Sequence, residues 1–283
     1  MINKVGFIGL GMMGKPMAAN VVKGGFETTV FDFDAEPVKE LAKLGAKPAG
    51  SAQELARASE VVIVMVRSES QVEDVVTGKG RVLQGLQAGS TIAVMSTVSP
   101  ALVQRLAKEA EKRGVGFLDA PVSGVRKVAE GGLTIFVGGD EKLLNHHLPV
   151  FKTMGENIYH MGEIGSGAAA KLVNNAICIA TTWATAEGLG MAVKAGANLE
   201  KLMGALTATN SSANSWTLQN WAAIIEMKKT FQPGEGPMAL AAKDITLFLD
   251  AAKKADHDVP IMSLVAEFSD LSNLKWPSPE GWV

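Results

Sequence analysis

The chain carries one cysteine and one tyrosine in 283 residues, and aromatic residues make up only 6% of it. A single thiol, Cys178, excludes an internal disulfide framework and fits a reducing compartment such as the cytoplasm. Charge of one sign is also lacking: 27 basic residues face 29 acidic ones, a net charge of −2. No global basic field therefore directs the protein to nucleic acid or to an anionic membrane. Histidine is sparse. His146 and His147 are adjacent, so on a helix they do not share a face, and His160 and His257 are isolated. All four read as surface or loop residues, and no metal site is expected. The apolar run at the N-terminus is too short for a signal-peptide core and leads straight into glycines, so it reads as a strand. The longest apolar stretch, residues 165–195, is interrupted by Lys171, Asn174, Asn175, Glu187 and Lys194. A membrane span needs about 20 apolar residues with few charges, so this stretch reads as a long buried helix.

Glycine, at 30 residues, is plentiful, and 47% of the chain is hydrophobic, enough for a substantial core. The first half alternates two kinds of signal. Val5–Ile8, Thr28–Phe31, Val61–Val66, Thr91–Met95, Phe117–Leu118 and Leu133–Val137 read as strands. Met12–Lys23 and Glu36–Leu44 have helical periodicity, and Ser51 and Ser99-Pro100 look like helix starts. Such alternation predicts an α/β fold with a parallel, doubly wound sheet. Beyond Gly162 strand signals vanish. Helical patterns cover Gly165–Ala195, Leu199–Thr207, Trp216–Met227, Met238–Lys254 and Pro260–Leu274, and Lys275–Val283 shows no clear element. The expected domains are residues 1–162, with the sheet, and 163–283, all-α.

Gly9-Leu10-Gly11-Met12-Met13-Gly14 is a G-x-G-x-x-G that follows a predicted strand and opens a predicted helix. Gly9 allows the tight turn, Gly11 lets backbone approach a pyrophosphate, and Gly14 permits close helix–strand packing. The helix N-terminus offers N–H groups and partial positive charge to the anion. Asp32 ends the second strand, 23 positions past Gly9, where a carboxylate accepts hydrogen bonds from the adenosine ribose and repels a 2′-phosphate. Phe33 and Asp34 follow, so no neighbouring arginine is at hand for that phosphate, and NAD is expected over NADP.

Three further stretches complete the pattern: Asp119-Ala120-Pro121-Val122-Ser123-Gly124, the run from Gly165-Ser166-Gly167 to Lys171 and Asn174-Asn175, and Ala242-Lys243-Asp244. With the glycine motif, these resemble the β-hydroxyacid dehydrogenase family, which includes 3-hydroxyisobutyrate dehydrogenase, tartronate semialdehyde reductase and threonate dehydrogenase. The resemblance runs from Val5 to about Pro260. It implies an N-terminal Rossmann domain, a helical second domain, and hydride transfer between NAD and a small 3-hydroxy acid without a metal. It implies Lys171 as catalytic acid/base and Asn175 beside it, with Asn174 as their neighbour at the substrate. Ser123 and Gly124 would bind the substrate carboxylate. Met65, Val66, Thr97 and Lys243 would join residues 9–14 and Asp32 around the cofactor. A homodimer or homotetramer is also implied. The residues support this chemistry: Lys171 and Asn175 are i and i+4, on one helix face. Alcohol oxidation needs a base within hydrogen-bond reach of the hydroxyl. A free lysine, with a pKa of ~10.4, must be desolvated or set beside another cation to serve at neutral pH.

The chain departs from the family pattern in places. Val125 stands where most relatives carry a second glycine, and the loop to Leu133 is one residue short. Arg126 or Lys127 either pairs with a second polar or anionic group of the substrate or forms a solvated charged loop. Trp216 either closes over the substrate or sits in a core. Arg67 replaces a proline common among relatives. Two other readings compete. Imine reductases share the fold but usually replace the lysine and favour NADP, and a catalytically silent NAD-binding regulator would not need the lysine and asparagine pair.

Overall fold

The computed structural model describes residues 2–78, 81–209, 216–220, 224–226, 236–268, 277–278 and 281–282. Side chains of Val125, Arg126, Trp216, Leu218, residues 236–239 and the last two pairs lie outside the description. The chain divides into two compact units, Met1–Lys171 and Leu172–Val283.

In the first unit, β1 (Lys4–Ile8), β2 (Glu27–Phe31), β3 (Lys47–Pro48), β4 (Val61–Val64), β5 (Thr91–Val94) and β6 (Gly116–Asp119) are parallel, in the spatial order β3-β2-β1-β4-β5-β6. Between them run α1 (Gly14–Lys23), α2 (Ala35–Lys43), α3 (Ala52–Arg57), α4 (Glu69–Thr77), α5 (Val82–Gly85) and α6 (Pro100–Glu111). Strand side chains alternate between two cores because successive residues face opposite sides of a sheet. Val61 and Ile63 pack with Met17, Val21 and Leu41, whereas Val62 and Val64 pack with Leu55, Val72 and Leu106. Burial on both faces explains why β4 is an unbroken apolar run. Each fully buried Val, Leu or Ile contributes about 1.5–3 kcal/mol relative to exposure. Helix starts are set by side-chain caps: Asp34, Ser51, Ser68, Ser99 and Asp140 each accept from a backbone N–H of the first turn. Such caps contribute about 1 kcal/mol apiece. Ser68 and Gln71 complete a capping box, and the Arg67 N–H donates to Gln71 Oε1 at 2.9 Å, a bond a proline there could not make.

The far edge of the sheet adds antiparallel pairing to the parallel strands. β7 (Val122–Ser123) and β8 (Leu133–Gly138) pair antiparallel, β6 meets β8 antiparallel at Asp119 and Gly138, and β9 (Gly155–Gly162) returns parallel to β8. Only Gly155, of β9, is buried; the other residues are half-buried or exposed. The strand thus lacks the apolar run that would have announced it. α7 (Glu141–Phe151) precedes it and carries Pro149 inside the helix. His147 lies on α7 and is 2% exposed, contrary to the surface reading, because its Nε2 pairs with Thr91 Oγ1 at 2.8 Å. His160, read as a surface or loop residue, lies on β9 with Nε2 2.7 Å from the Gly139 carbonyl.

In the second unit, the remainder of α8 (Ser166–Lys194), α9 (Leu199–Ala208), α10 (Trp216–Gln219), α11 (Gly236–Lys254) and α12 (Pro260–Glu267) build two small cores. Ala186 and Leu189 pack with Ile224 and Ile225, and Ile179 packs with Ala241 and Ile245. Short strands at Pro277–Ser278 and Gly281–Trp282 pair antiparallel where no element is expected. α8 differs from the long buried helix of the sequence reading. Its apolar residues ring the axis, and only 33% of its most apolar window, mean hydropathy 1.3, is buried. Val173, Ile177 and Met191 are 47%, 61% and 67% exposed, in a stripe shared with Thr181, Ala184 and Gly188. Periodicity alone cannot say which apolar face a chain covers by itself.

Candidate active site

The glycine loop follows β1 at the point where the chain crosses from β2 on one side to β4 on the other, the switch point at which doubly wound sheets bind ligands. Gly9 has φ +90°, and a Cβ there would lie 2.2 Å from the Met65 carbonyl oxygen. A Cβ on Gly14 would lie 1.8 Å from the Gly9 carbonyl oxygen. Both glycines are thus required by packing within the protein. Gly11 differs: a Cβ there meets no protein atom within 4 Å. Its bare backbone faces outward beside the start of α1. Met13 supplies no side-chain cap there, and the first turn holds no acidic residue. The pair of conditions suits an anion brought against backbone N–H groups.

Asp32 holds this loop. Its Oδ2 accepts from the Leu10 N–H at 2.5 Å and its Oδ1 from the Asp34 N–H at 2.9 Å. Both oxygens keep further acceptor capacity for ribose hydroxyls. Met65 and Val66 extend β4 against Gly9, and the Val66 N–H donates to Ser96 Oγ at 2.9 Å. Thr97 follows Ser96, half-buried, in the turn after β5. Residues 9–14, Asp32, Met65, Val66 and Thr97 therefore all lie at the carboxyl ends of β1, β2, β4 and β5. Met12 is 53% exposed on this loop. The expectation that no arginine stands nearby is corrected by the fold: Arg81 places its guanidinium 5.6 Å from the ring centre of Phe33. It comes from the segment after α4, and Asp74 of that helix engages it at 2.9 Å.

Ser123 ends β7, and Gly124, at φ +108°, turns the chain into a 3-10 helix, Val125–Glu130. The shortened loop is therefore a compact turn. It is tied to α1, because the buried Asn20 amide donates to the Val128 carbonyl at 2.9 Å. Lys127 is exposed, with its stem against Gly132. The side chains of Arg126 and Trp216 lie outside the described residues.

Lys171 is 8% exposed on the second turn of α8, and Asn175 follows one turn later. The Asn174 amide donates to Asn175 Oδ1 at 3.0 Å, and the Asn175 amide donates to Asp244 Oδ2 at 2.7 Å. Asp244 also faces Lys243, with Nζ 3.3 Å from Oδ1. Lys243 and Asn175 thus meet through one carboxylate. At the start of α8, Asp119 is fully buried and accepts from the Gly165 and Ala168 N–H groups at 2.8 and 2.7 Å. Burial pushes its carboxyl up to about 6, against the opposing pull of these backbone bonds. Asp119, Asp244, Ser96 and Arg81 were not among the expected site residues. Asp119 and Asp244 lie inside motifs already singled out, but the contacts that give them a role, to residues 165 and 168 and to Asn175, are made only in the folded chain.

Residues 4–162 match the family model described as the NAD binding domain of 6-phosphogluconate dehydrogenase. Residues 165–273 match the model described as NAD-binding of NADP-dependent 3-hydroxyisobutyrate dehydrogenase. The chain belongs to the β-hydroxyacid dehydrogenase family. Among its relatives, 2-(hydroxymethyl)glutarate dehydrogenase of Eubacterium barkeri is 36% identical over 93% of this chain and 87% of its own. The 2-hydroxy-3-oxopropionate reductase of Escherichia coli is 37% identical over 91% and 87%. A solved structure of 3-hydroxyisobutyrate dehydrogenase of Mycobacterium tuberculosis with L-serine superposes with a TM-score of 0.85 at 30% identity, covering 97% of this chain and 98% of that one. This family member is an oxidoreductase with an NAD-binding Rossmann domain followed by a helical region.

Proposed function

We propose that this dehydrogenase interconverts the primary alcohol and aldehyde of a small 3-hydroxy acid, with Lys171 as general acid/base. The relatives' names share one chemical element, a hydroxymethyl or formyl group one carbon from a carboxylate. The observation that carries the reading is a lysine only 8% exposed on the second turn of α8, four residues before an asparagine held by a carboxylate. Bound NAD supplies the hydride acceptor or donor. Lys171 takes the hydroxyl proton as the alcohol is oxidised and returns it, as an ammonium, when the aldehyde is reduced. Asn175, oriented by Asp244, holds the substrate beside that amine, and Asn174 steadies it. Ser123 and the backbone at Gly124 receive the substrate carboxylate. Residues 9–14 cradle the pyrophosphate, Asp32 the adenosine ribose, and Met65, Val66, Thr97 and Lys243 complete the cofactor's surroundings. A ribose-binding carboxylate favours NAD over NADP, and Arg81, engaged by Asp74, leaves that preference in place.

Lys127 is exposed in the turn after Ser123, and in this reading Arg126 or Lys127 pairs with a second anionic or polar group of the substrate. The exposed stripe on α8 fits burial against a second copy of the chain, so a homo-oligomer working in a reducing cytoplasm completes the reading. A solution monomer at assay concentration would contradict that last point.

One experiment tests the chemistry: reduction of NAD followed by absorbance on a panel of 3-hydroxy acids. The panel contains 3-hydroxyisobutyrate, L-serine and 2-(hydroxymethyl)glutarate, with threonate, whose 3-hydroxyl is secondary, for contrast. Lys171→Ala should keep NAD binding while turnover falls at least ~100-fold, the low end for losing a general acid/base. Turnover unchanged in that variant would remove the proposed base. Arg126→Ala with Lys127→Ala should raise KM for the preferred substrate, and an unchanged KM would return the pair to solvent.

A further inference from the structure

Among the described residues of the first unit, Asp119 is the one fully buried carboxylate, and the proposed reaction does not use it. It ends β6, and its two oxygens accept from the Gly165 and Ala168 N–H groups at the start of α8, at 2.8 and 2.7 Å. The surroundings are shaped around this contact. A Cβ on Gly138, opposite Asp119 across the β6–β8 pair, would lie 2.5 Å from one carboxylate oxygen and 2.9 Å from the other. A Cβ on Gly167 would lie 2.4 Å from the Phe136 carbonyl oxygen and 2.7 Å from that of Asp119. Gly165 holds φ +97°, a backbone state that favours glycine. Three glycines thus let the first turn of α8 approach the sheet closely enough for one carboxylate to grip it. An N-terminal helix end leaves its first N–H groups unpaired, and an anion satisfies both the hydrogen bonds and the partial positive charge. Ala168, the residue gripped, is 2% exposed, and Lys171 lies three positions on, over the same face.

We infer that Asp119 is a positioning residue for Lys171: it fixes the rotation and height of the first turn of α8 on the sheet, and so the place of the amine one turn later. The inference rests on the proposed role of Lys171. A helix turn pinned at two N–H groups cannot rotate about its axis without breaking one of them. An amide in place of the carboxylate keeps one acceptor and aims a donor at the other N–H, leaving a buried group unsatisfied. The turn then shifts, and reacting atoms displaced by about 1 Å can cost on the order of 100-fold in rate.

The test is a double-mutant cycle on kcat with saturating NAD and hydroxy acid. Asp119→Asn should lower kcat by about 10- to 100-fold, with the Kd for NAD within about two-fold. Added to Lys171→Ala, the same change should cost less than about two-fold, because a residue acting through the amine has nothing left to position. Equal penalties in both backgrounds, or no penalty in either, would overturn the inference while leaving Lys171 as the base. Full activity of Lys171→Ala alone would overturn both. If Asp119→Asn does not fold, Gly138→Ala displaces the same carboxylate and should show the same non-additive loss; an additive loss there also overturns the inference.

Discussion

The Asn175 side-chain amide donates to Asp244 Oδ2 at 2.7 Å, joining residues 69 positions apart in one part-buried pair. A carboxylate accepts only, so it fixes which end of the Asn175 amide faces it and leaves the amide oxygen facing Asn174. Hydrogen bonds to a charged group contribute about 1.5–3 kcal/mol, roughly one to two decades in rate when the group acts in the transition state. Asp244→Asn should therefore lower kcat/KM for the hydroxy acid by at least about ten-fold. Steady-state kinetics at fixed saturating NAD reads this out, and an unchanged kcat/KM would show that Asn175 needs no such support.

The three motif glycines should separate into two kinds. Gly14→Ala places a Cβ 1.8 Å from the Gly9 carbonyl oxygen, so the helix must move. Overpacking of this sort costs about 1–3 kcal/mol, and a domain of this size loses about 2–4 °C of Tm per kcal/mol. Gly11→Ala meets no protein atom within 4 Å, and its φ is not in the left-handed region. Its Tm should hold or rise slightly, since fewer unfolded conformations are available. Its affinity for NAD should nonetheless fall at least about ten-fold, because a methyl group stands where the pyrophosphate must approach. Calorimetry and NAD titration of both variants check the split, and tight NAD binding by Gly11→Ala would place the pyrophosphate elsewhere.

Two buried groups should give the fold opposite pH dependences. Burial depresses His147, with a further push from His146, from 6.5 to about 4. The unfolded chain then binds the extra proton, so the stability from keeping this ring neutral is present above 6.5 and is lost as pH falls toward 4. Asp119 is raised from 3.8 to about 6. Its contribution is present below 3.8 and is lost as pH rises through about 6. Chemical denaturation of each variant against the parent isolates these terms. His147→Gln should gain on the parent as pH is lowered from 6.5 to 4. Asp119→Asn should lose ground over the same descent, and parallel curves in either comparison would remove that group from the account.

Much of this was legible from residue order alone. Strands β1, β2, β4, β5 and β6, the caps at Ser51 and Ser99, and the glycine loop all rest on local pattern, and local pattern is where a sequence speaks directly. β9 escaped because an edge strand with most of its residues exposed has no apolar period to read. The grip of Asp119 on α8, the Asp244 contact and the approach of Arg81 to Phe33 escaped for another reason. Each joins segments 46 or more positions apart, and only the folded chain brings them together. The exposed side of α8 was misread because apolar composition reports that a surface wants cover, not what supplies it.

The bond from the Asn20 amide to the Val128 carbonyl also bears on how new specificities could be built on this scaffold. The hairpin that carries Ser123 and the helix that begins at the dinucleotide motif are fastened together at that bond. A graft of residues 124–132 from another family member would succeed only if the donor turn again presents a carbonyl to position 20. Otherwise a redesign aimed at one ligand would loosen the grasp on the other. Recombination libraries should exchange the two segments as a single cassette.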